Sequence, residues 1–270
     1  MMKIQWIVTD EFHQSSIGDF ASFHKISQKA LKDIKLHGDI LVDGVHQTVR
    51  YQLHVGEVVT FIFPKENNQI SPENICFQIA YEDDYLMVID KPSNMPCIPT
   101  KAHSHHTLAN ALSYYYQQIG LSSTIHLINR LDKETSGLMI VAKYRYIHDL
   151  MNNVHIYRLY RTHVKGKVDN GKIDLPIYKD GYKMKRIIDP KGKPSVTYYR
   201  CIEMKDHCSF VECRLETGRT HQIRIHMASI GHPLIGDSLY GDGEGIFDLT
   251  SFKICFVHPI TKQIISVVKK

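Results

Sequence analysis

A run of apolar, partly β-branched residues at 138–142 predicts a buried strand. The polar residues 133–136 come just before it and end at Gly137, which suits a tight turn. Arg130 and Asp132 lie ahead of the turn, and on an extended chain their side chains point the same way. A guanidinium and a carboxylate at the mouth of a buried strand indicate either a surface ion pair or a reaction centre.

The first 64 residues predict a short helix followed by strands. Apolar residues recur at helical spacing over 26–34 with lysines between them, and Gly38 ends the predicted helix. Apolar runs at 40–42 and 58–63 follow, and Asp43-Gly44 forms a typical hairpin turn after the first of them. The next residues are polar and without periodicity. We therefore predict a small N-terminal α+β module at 1–64, a linker at 65–76 and a larger domain at 77–270.

Two further stretches combine a regular pattern with reactive side chains. Residues 158–166 alternate as a strand does, which places Tyr160 on the same face as Thr162 and Val164. A helix with Thr220 as its N-cap would place His221 and Arg224 on one stripe. Further strands are predicted at 86–89, 196–202, 209–215, 252–256 and 264–268, and a helix capped by Thr107 is predicted to end near Gly120.

The composition narrows the class of protein. Hydrophobic residues make up 43% of the 270, so a sizeable core is available, which argues against wholesale disorder. The net charge of +5 is mildly basic and favours a polyanionic partner. The six cysteines include no Cys-x-x-Cys pair, which argues against a zinc ribbon and favours reduced thiols in the cytoplasm. No apolar stretch is long enough to span a membrane.

A histidine cluster is the main candidate for a metal site. His103, His105 and His106 are close in sequence, but no acidic residue or cysteine follows at ligand spacing. We therefore predict a polar loop and no metal site. Lys91, at the end of a predicted strand, is interpreted either as a phosphate ligand or as an ordinary surface residue.

Three motifs together resemble those of the RluA-type pseudouridine synthases, which isomerise uridine in RNA. They are Arg130-Leu-Asp132-x-x-Thr-Ser-Gly-Leu, Tyr160-x-Thr-x-Val-x-Gly, and Thr217-Gly-Arg-Thr-His-Gln-Ile-Arg-Ile-His with Pro233-Leu-Ile-Gly-Asp-x-Leu-Tyr-Gly after it. The resemblance covers roughly residue 81 to the C-terminus. The family usually has histidine before the arginine of the first motif, where this chain has Asn129.

This resemblance implies an α+β catalytic domain with a central, mostly antiparallel mixed sheet at 77–270. The reaction is an isomerisation, so no cofactor or metal is expected. The implied partner is structured RNA, with ribosomal RNA as the first candidate and transfer RNA as the second, and a monomer is the default expectation. Residues 1–64 loosely resemble a small RNA-binding module shared with a ribosomal protein. Its opening helix is hard to recognise between residues 12 and 23, so the module is interpreted either as reduced or as a cap without RNA affinity.

The resemblance also implies a role for individual side chains. Asp132 would be the essential carboxylate, Tyr160 would line the uridine pocket, and Arg224 would pair with Asp132 and lower its pKa. Basic groups would hold the RNA through its phosphates. The predicted RNA-binding residues are Arg130, Arg219, His221, Lys183, Lys185 and Arg186.

Two other functions compete with this one. A catalytically inactive RNA-binding paralogue would have little reason to retain Asp132, Tyr160 and Arg224 together. A glycosidase would need a second carboxylate facing the first across the substrate. Glu134 is too near Asp132 in sequence to serve as that group.

Overall fold

A computed structural model describes residues 1–101, 103–181, 184–205 and 207–270. Its helices are α1 (Ile17–Phe23), α2 (Gln28–His37), α3 (Leu108–Gln118), α4 (Arg145–Met151) and α5 (Gln222–Ser229), with one 3-10 turn at Asp10–Phe12. Its strands are β1 (Lys3–Ile7), β2 (Asp39–Val42), β3 (Val45–His46), β4 (Val58–Ile62), β5 (Gln78–Glu82), β6 (Leu86–Lys91), β7 (His126–Leu127), β8 (Ser136–Ala142), β9 (Tyr157–Lys165), β10 (Gly171–Asp174), β11 (Ile177–Tyr178), β12 (Ile187–Ile188), β13 (Val196–Met204), β14 (Cys208–Leu215), β15 (Thr250–Val257) and β16 (Ile264–Val268).

The N-terminal strands form an antiparallel sheet in the order β1-β4-β2-β3. Asp43 and Gly44 make the turn between β2 and β3 with positive φ angles, as the Asp-Gly signal predicts. The helix α1 stands where the sequence showed no clear helix. It has only seven residues, and the side chain of Ser16 caps it by accepting a hydrogen bond from the Asp19 amide at 3.1 Å.

The larger sheet is mostly antiparallel, which confirms the predicted fold class. Its strands lie in the order β10-β13-β14-β9-β15-β8-β6-β5, with β16 paired to β15 and β7 paired to β8. Among the described residues, β15 and β8 form its parallel pair, and β11 pairs with β12 in a separate small hairpin. The predicted strands at 86–89, 138–142 and 158–166 are β6, β8 and β9.

The two faces of this sheet bury two different cores. Along β8, Leu138 and Ile140 contact one core, while Met139 and Val141 contact the other. This is the two-residue alternation of a strand, and it explains why the run at 138–142 is apolar throughout. The N-terminal module and α4 pack on the first face. The helices α3 and α5 pack on the second face.

Residues 65–76, predicted as a linker, have no regular secondary structure but are anchored to the larger sheet's second face. Asn110 on α3 donates a hydrogen bond to the Ser71 carbonyl at 2.8 Å and accepts one at its own carbonyl from the Glu73 amide. Glu66 accepts hydrogen bonds from Thr124 and pairs with His126. The segment therefore lies along the domain that it precedes.

Candidate active site

A cavity of about 520 Å³ opens on the second face of the large sheet, beside α5. Its wall includes the loop before β8, the start of β9 and the residues leading into α5. The cavity brings together six predicted site residues that are distant in sequence: Arg130, Asp132, Tyr160, Arg219, His221 and Arg224. Lys185 and Arg186 lie outside its lining, and Lys183 lies outside the described residues.

The loop that bears Asp132 is held on both sides. Before it, the side-chain oxygen of Asn129 accepts a hydrogen bond from the Ile140 amide at 2.8 Å, which ties the loop to β8. After it, the Thr135 amide donates to the Asp132 carbonyl at 3.2 Å. Asn129 stands where related sequences were expected to have histidine, and here it anchors the loop.

Lys91 provides a third anchor for the same loop. Its side chain is fully buried and its ammonium group donates to the carbonyls of Pro92, Met95 and Lys133. Burial lowers the pKa of Lys91 to about 8. Both sequence interpretations of Lys91 were therefore wrong, because a lysine with this burial is neither a surface residue nor free to reach a phosphate.

Gly137 allows the strand after the loop to approach its neighbour. Its φ is +107°, and a side chain there would collide with the backbone of Ser251 on β15. The parallel pairing of β8 with β15 begins at this point. Any larger residue would separate the two strands just below Asp132.

Arg224 lies near Asp132 but has a closer partner. Its Nη1 is 3.8 Å from Asp132 Oδ2. Its Nε and Nη2 donate two hydrogen bonds of 2.8 Å to the carboxylate of Asp237, which is fully buried. Arg224 was expected to pair with Asp132, and Asp237 was not singled out although it lies in the quoted Gly-Asp-x-Leu-Tyr-Gly stretch. This forked geometry fixes the guanidinium in the cavity wall.

The charges around Asp132 only partly compensate its burial. Burial raises the pKa of Asp132, while the neighbouring His221 and Arg224 act to lower it. The effect of Arg224 thus has the expected direction, but the net shift is upward, contrary to the expectation. For Asp237, burial is outweighed by the bound guanidinium of Arg224, and its pKa falls below the usual range.

His221 occupies a strained position at the start of α5. It is the N-cap residue, with φ of 57° in the left-handed region, so the prediction of Thr220 as N-cap was wrong. Its Nε2 lies 3.9 Å from Asp132 Oδ1, and its Nδ1 lies 3.0 Å from the hydroxyl of Tyr240. The unusual backbone thus directs the imidazole towards the carboxylate.

The remaining predicted residues divide between the floor and the rim. Tyr160 is buried on β9 and contributes to the cavity wall, and burial raises its pKa. Arg130 and Arg219 are exposed at the cavity edge. Lys185 is exposed with its ammonium group 5.4 Å from the ring centre of Tyr240, whose hydroxyl accepts a hydrogen bond from the Arg186 amide at 2.7 Å. Lys185 and Arg186 therefore meet the site through Tyr240.

The histidine cluster has acidic contacts that its sequence neighbourhood did not reveal. Glu73 accepts from His105 Nδ1 at 2.9 Å and lies 3.3 Å from His106 Nδ1. No group of three potential ligands suited to a metal ion is found among the described residues. Within the same residues, no helix is long and apolar enough to cross a membrane.

Residues 85–229, which include the loop that bears Asp132, β9 and all of α5, match the family described as RNA pseudouridylate synthase. The chain belongs to this family. Its relatives include an uncharacterized RNA pseudouridine synthase, YjbO, of Bacillus subtilis (strain 168), 36% identical over 262 residues that cover 92% of each chain. Ribosomal large subunit pseudouridine synthase D of Buchnera aphidicola subsp. Schizaphis graminum is 33% identical over 90% of this chain and 86% of its own.

The fold has solved counterparts. Human RNA pseudouridylate synthase domain containing 1 superposes with a TM-score of 0.60 at 22% identity, over 73% of this chain and 84% of that chain. At that identity the likeness shows the fold. The sequence relatives confirm the predicted RluA-type family and the predicted activity, an isomerase that forms pseudouridine in RNA. They offer no support for an inactive paralogue.

Proposed function

We propose that Asp132, Tyr160 and Arg224 are the catalytic residues of this RNA pseudouridine synthase. The reaction breaks the bond between ribose C1′ and uracil N1, turns the base and joins C1′ to C5. Uracil C5 loses a proton and N1 gains one, so the product is an isomer. The carboxylate of Asp132 would face the anomeric carbon, where positive charge develops.

The observation that supports these roles is the convergence of the three side chains on one cavity. Arg224 is fixed by Asp237 and has one Nη left to face Asp132 at 3.8 Å. Tyr160 is buried in the wall, where its ring could pack on an extruded uracil. A cavity of about 520 Å³ has room for one nucleoside.

The RNA would approach across the basic rim. Arg130, Arg219 and His221 lie at the cavity, and Lys185 and Arg186 lie beyond Tyr240. We propose that these groups, with Lys183, neutralise phosphates around the extruded uridine. A loop or bulge would be the preferred substrate, because an unpaired base costs less to extrude than a paired one.

The test uses RNA labelled with tritium at uracil C5, since that position loses its proton in the reaction. Asp132→Asn should bind the RNA but release no tritium, because the amide cannot stabilise positive charge at C1′. The matched control is Asp169→Asn, which removes the charge of an exposed carboxylate. It should release tritium at the wild-type rate. Normal turnover by Asp132→Asn would refute the proposed mechanism.

For the substrate, we propose ribosomal RNA of the large subunit. The support is that relatives such as the Buchnera protein are named ribosomal large subunit pseudouridine synthase D. Mapping pseudouridines in total RNA from cells with and without the gene should show positions lost from large-subunit RNA. Loss confined to transfer RNA would favour the second candidate substrate.

We further propose that residues 1–64 form an RNA-binding module and that the protein acts as a cytoplasmic monomer. The exposed lysines of α2 at positions 29, 32 and 35 support RNA binding by the module, and the six unpaired cysteines support the cytoplasmic location. Replacing the exposed lysines of α2 at positions 29, 32 and 35 with glutamine should weaken RNA binding while the core stays intact. Unchanged affinity would favour the interpretation of this module as a cap.

A further inference from the structure

Arg158 is a second guanidinium in the cavity wall, and no predicted role includes it. It lies two residues before Tyr160 on β9, so both side chains point to the same face of the strand. Both line the cavity. Burial dominates the raised pKa of Tyr160, and the charge of Arg158 opposes that rise, which reflects how near the two groups are.

The surroundings of Arg158 differ from those of Arg224. Arg224 is neutralised by Asp237 and faces Asp132 and Glu134. The guanidinium of Arg158 makes no ion pair or hydrogen bond with any described residue, and its Nε is buried without a partner. A buried donor without an acceptor is costly unless a ligand supplies one. Arg158 therefore presents an uncompensated positive charge to the cavity.

Gly218 leaves the space that this guanidinium occupies. A Cβ at position 218 would lie 2.6 Å from Arg158 Nη1, so a larger residue would push the guanidinium away. Gly218 stands in the third quoted motif, between β14 and α5. The backbone on this side of the cavity is thus shaped to receive Arg158.

We propose that Arg158 is a further catalytic residue, which stabilises the negative charge of uracil as it leaves the ribose. This rests on the proposed function of the cavity. When the C1′–N1 bond breaks, its electron pair stays on uracil and is shared between N1 and the two carbonyl oxygens. The guanidinium donates to a carbonyl oxygen until C5 attacks C1′, C5 releases its proton and N1 takes one up. Cleavage of the bond separates two charges: Asp132 stabilises the positive charge at C1′, and Arg158 stabilises the negative charge on uracil.

The test compares uridine with 5-fluorouridine at the target position of an RNA that the wild-type protein modifies. Fluorine withdraws electrons and makes uracil a better leaving group. Under single-turnover conditions with saturating protein, Arg158→Gln should slow the loss of uridine about a hundredfold. It should slow the loss of 5-fluorouridine much less. Arg158→Lys should recover part of the uridine rate, because it restores the charge.

Two further variants control for folding and for charge. Gly218→Ala retains Arg158 but displaces its guanidinium. Like Arg158→Gln, it should slow the loss of uridine more than the loss of 5-fluorouridine. Arg214→Gln removes a guanidinium that stacks on Tyr198 outside the cavity, and it should react like the wild type. Thermal melts of all variants would show that each is folded.

The proposal is overturned if Arg158→Gln weakens RNA binding but reacts at the wild-type rate when saturated, since the arginine would then be a phosphate ligand. It is also overturned if Arg158→Gln slows the loss of uridine and the loss of 5-fluorouridine by the same factor. Asp132→Asn in the same RNA separates this proposal from the proposed function. If that variant forms product, the assignment of the cavity fails, whatever the Arg158 variants do.

Discussion

At the scale of single residues, Asp132 must remain charged in a place that disfavours charge. Burial raises its pKa, and Arg224 and His221 offset that burial only in part, at distances of 3.8 and 3.9 Å. A closer ion pair would hold the carboxylate more firmly ionised but would also cover its oxygens. The arrangement leaves Asp132 accessible to a sugar at some expense in stability.

Because the buried charge of Asp132 lowers the stability of the fold, we predict that Asp132→Asn stabilises the folded protein at neutral pH. The pKa of Asp132 is higher folded than unfolded, so the wild type loses stability as pH rises between those two values. The variant avoids this loss, and its melting temperature should be higher by about 2–4 °C per kcal/mol gained. Melting curves from about pH 4 to about pH 8 would measure the difference. It should shrink towards acid, and a variant less stable at every pH would contradict the prediction.

At the scale of elements, Tyr240 joins Lys185 and Arg186, just before β12, to the start of α5. Its hydroxyl accepts from the Arg186 amide and contacts His221 Nδ1 at 3.0 Å. Its ring is near both Lys185 and Arg224, with the charged groups 5.4 and 5.6 Å from the ring centre. The position of the hairpin β11–β12 is therefore coupled to the side chains that face Asp132.

Tyr240→Phe should loosen this connection while the ring remains in place. Each lost hydrogen bond is worth about 1 kcal/mol, so local opening should become roughly five- to thirtyfold more frequent. Limited trypsin digestion would detect this as faster cleavage after Lys185 and Arg186. Tyr115→Phe, which loses only a 2.7 Å hydrogen bond to Glu82, is the matched control. Equal cleavage of the two variants would show that Tyr240 does not hold the segment.

At the scale of the whole molecule, one core joins the N-terminal module to the catalytic sheet. Phe20 and Phe61 of the module belong to the same buried cluster as Leu138 and Ile140 of β8. The hydroxyl of Tyr146 on α4 donates to the His24 carbonyl at 2.6 Å. Such an interface predicts that the two parts unfold together.

The single tryptophan gives a direct measurement of this coupling. Trp6 lies on β1 and stacks on His24 with ring centres 4.0 Å apart, so its fluorescence reports on the module. Circular dichroism reports on the whole chain. In urea, the two signals should give one midpoint. An earlier fluorescence transition would mean that the module unfolds independently of the catalytic sheet.

Local sequence patterns were sufficient to predict much of the secondary structure of this protein. The alternation over 158–166 and the apolar run at 138–142 predicted β9 and β8. The order of apolar and polar residues in a strand directly reflects which of its faces are buried. The helix α1 was missed, since seven residues contain too few turns for a clear period. Motifs identified Asp132, Tyr160 and Arg224 as members of one site, and the structure places all three around one cavity.

The sequence by itself determined the family and many of the long strands, and it predicted which side chains would act. Only the tertiary structure decided their partners: Asp237 binds Arg224 at 2.8 Å, Lys91 is buried beneath the loop, and Arg158 remains unpaired among the described residues. Strand and helix patterns depend on neighbours a few residues apart. Ion pairing and burial depend on distances between segments far apart in the chain, and those distances exist only once the sheet and α5 have packed.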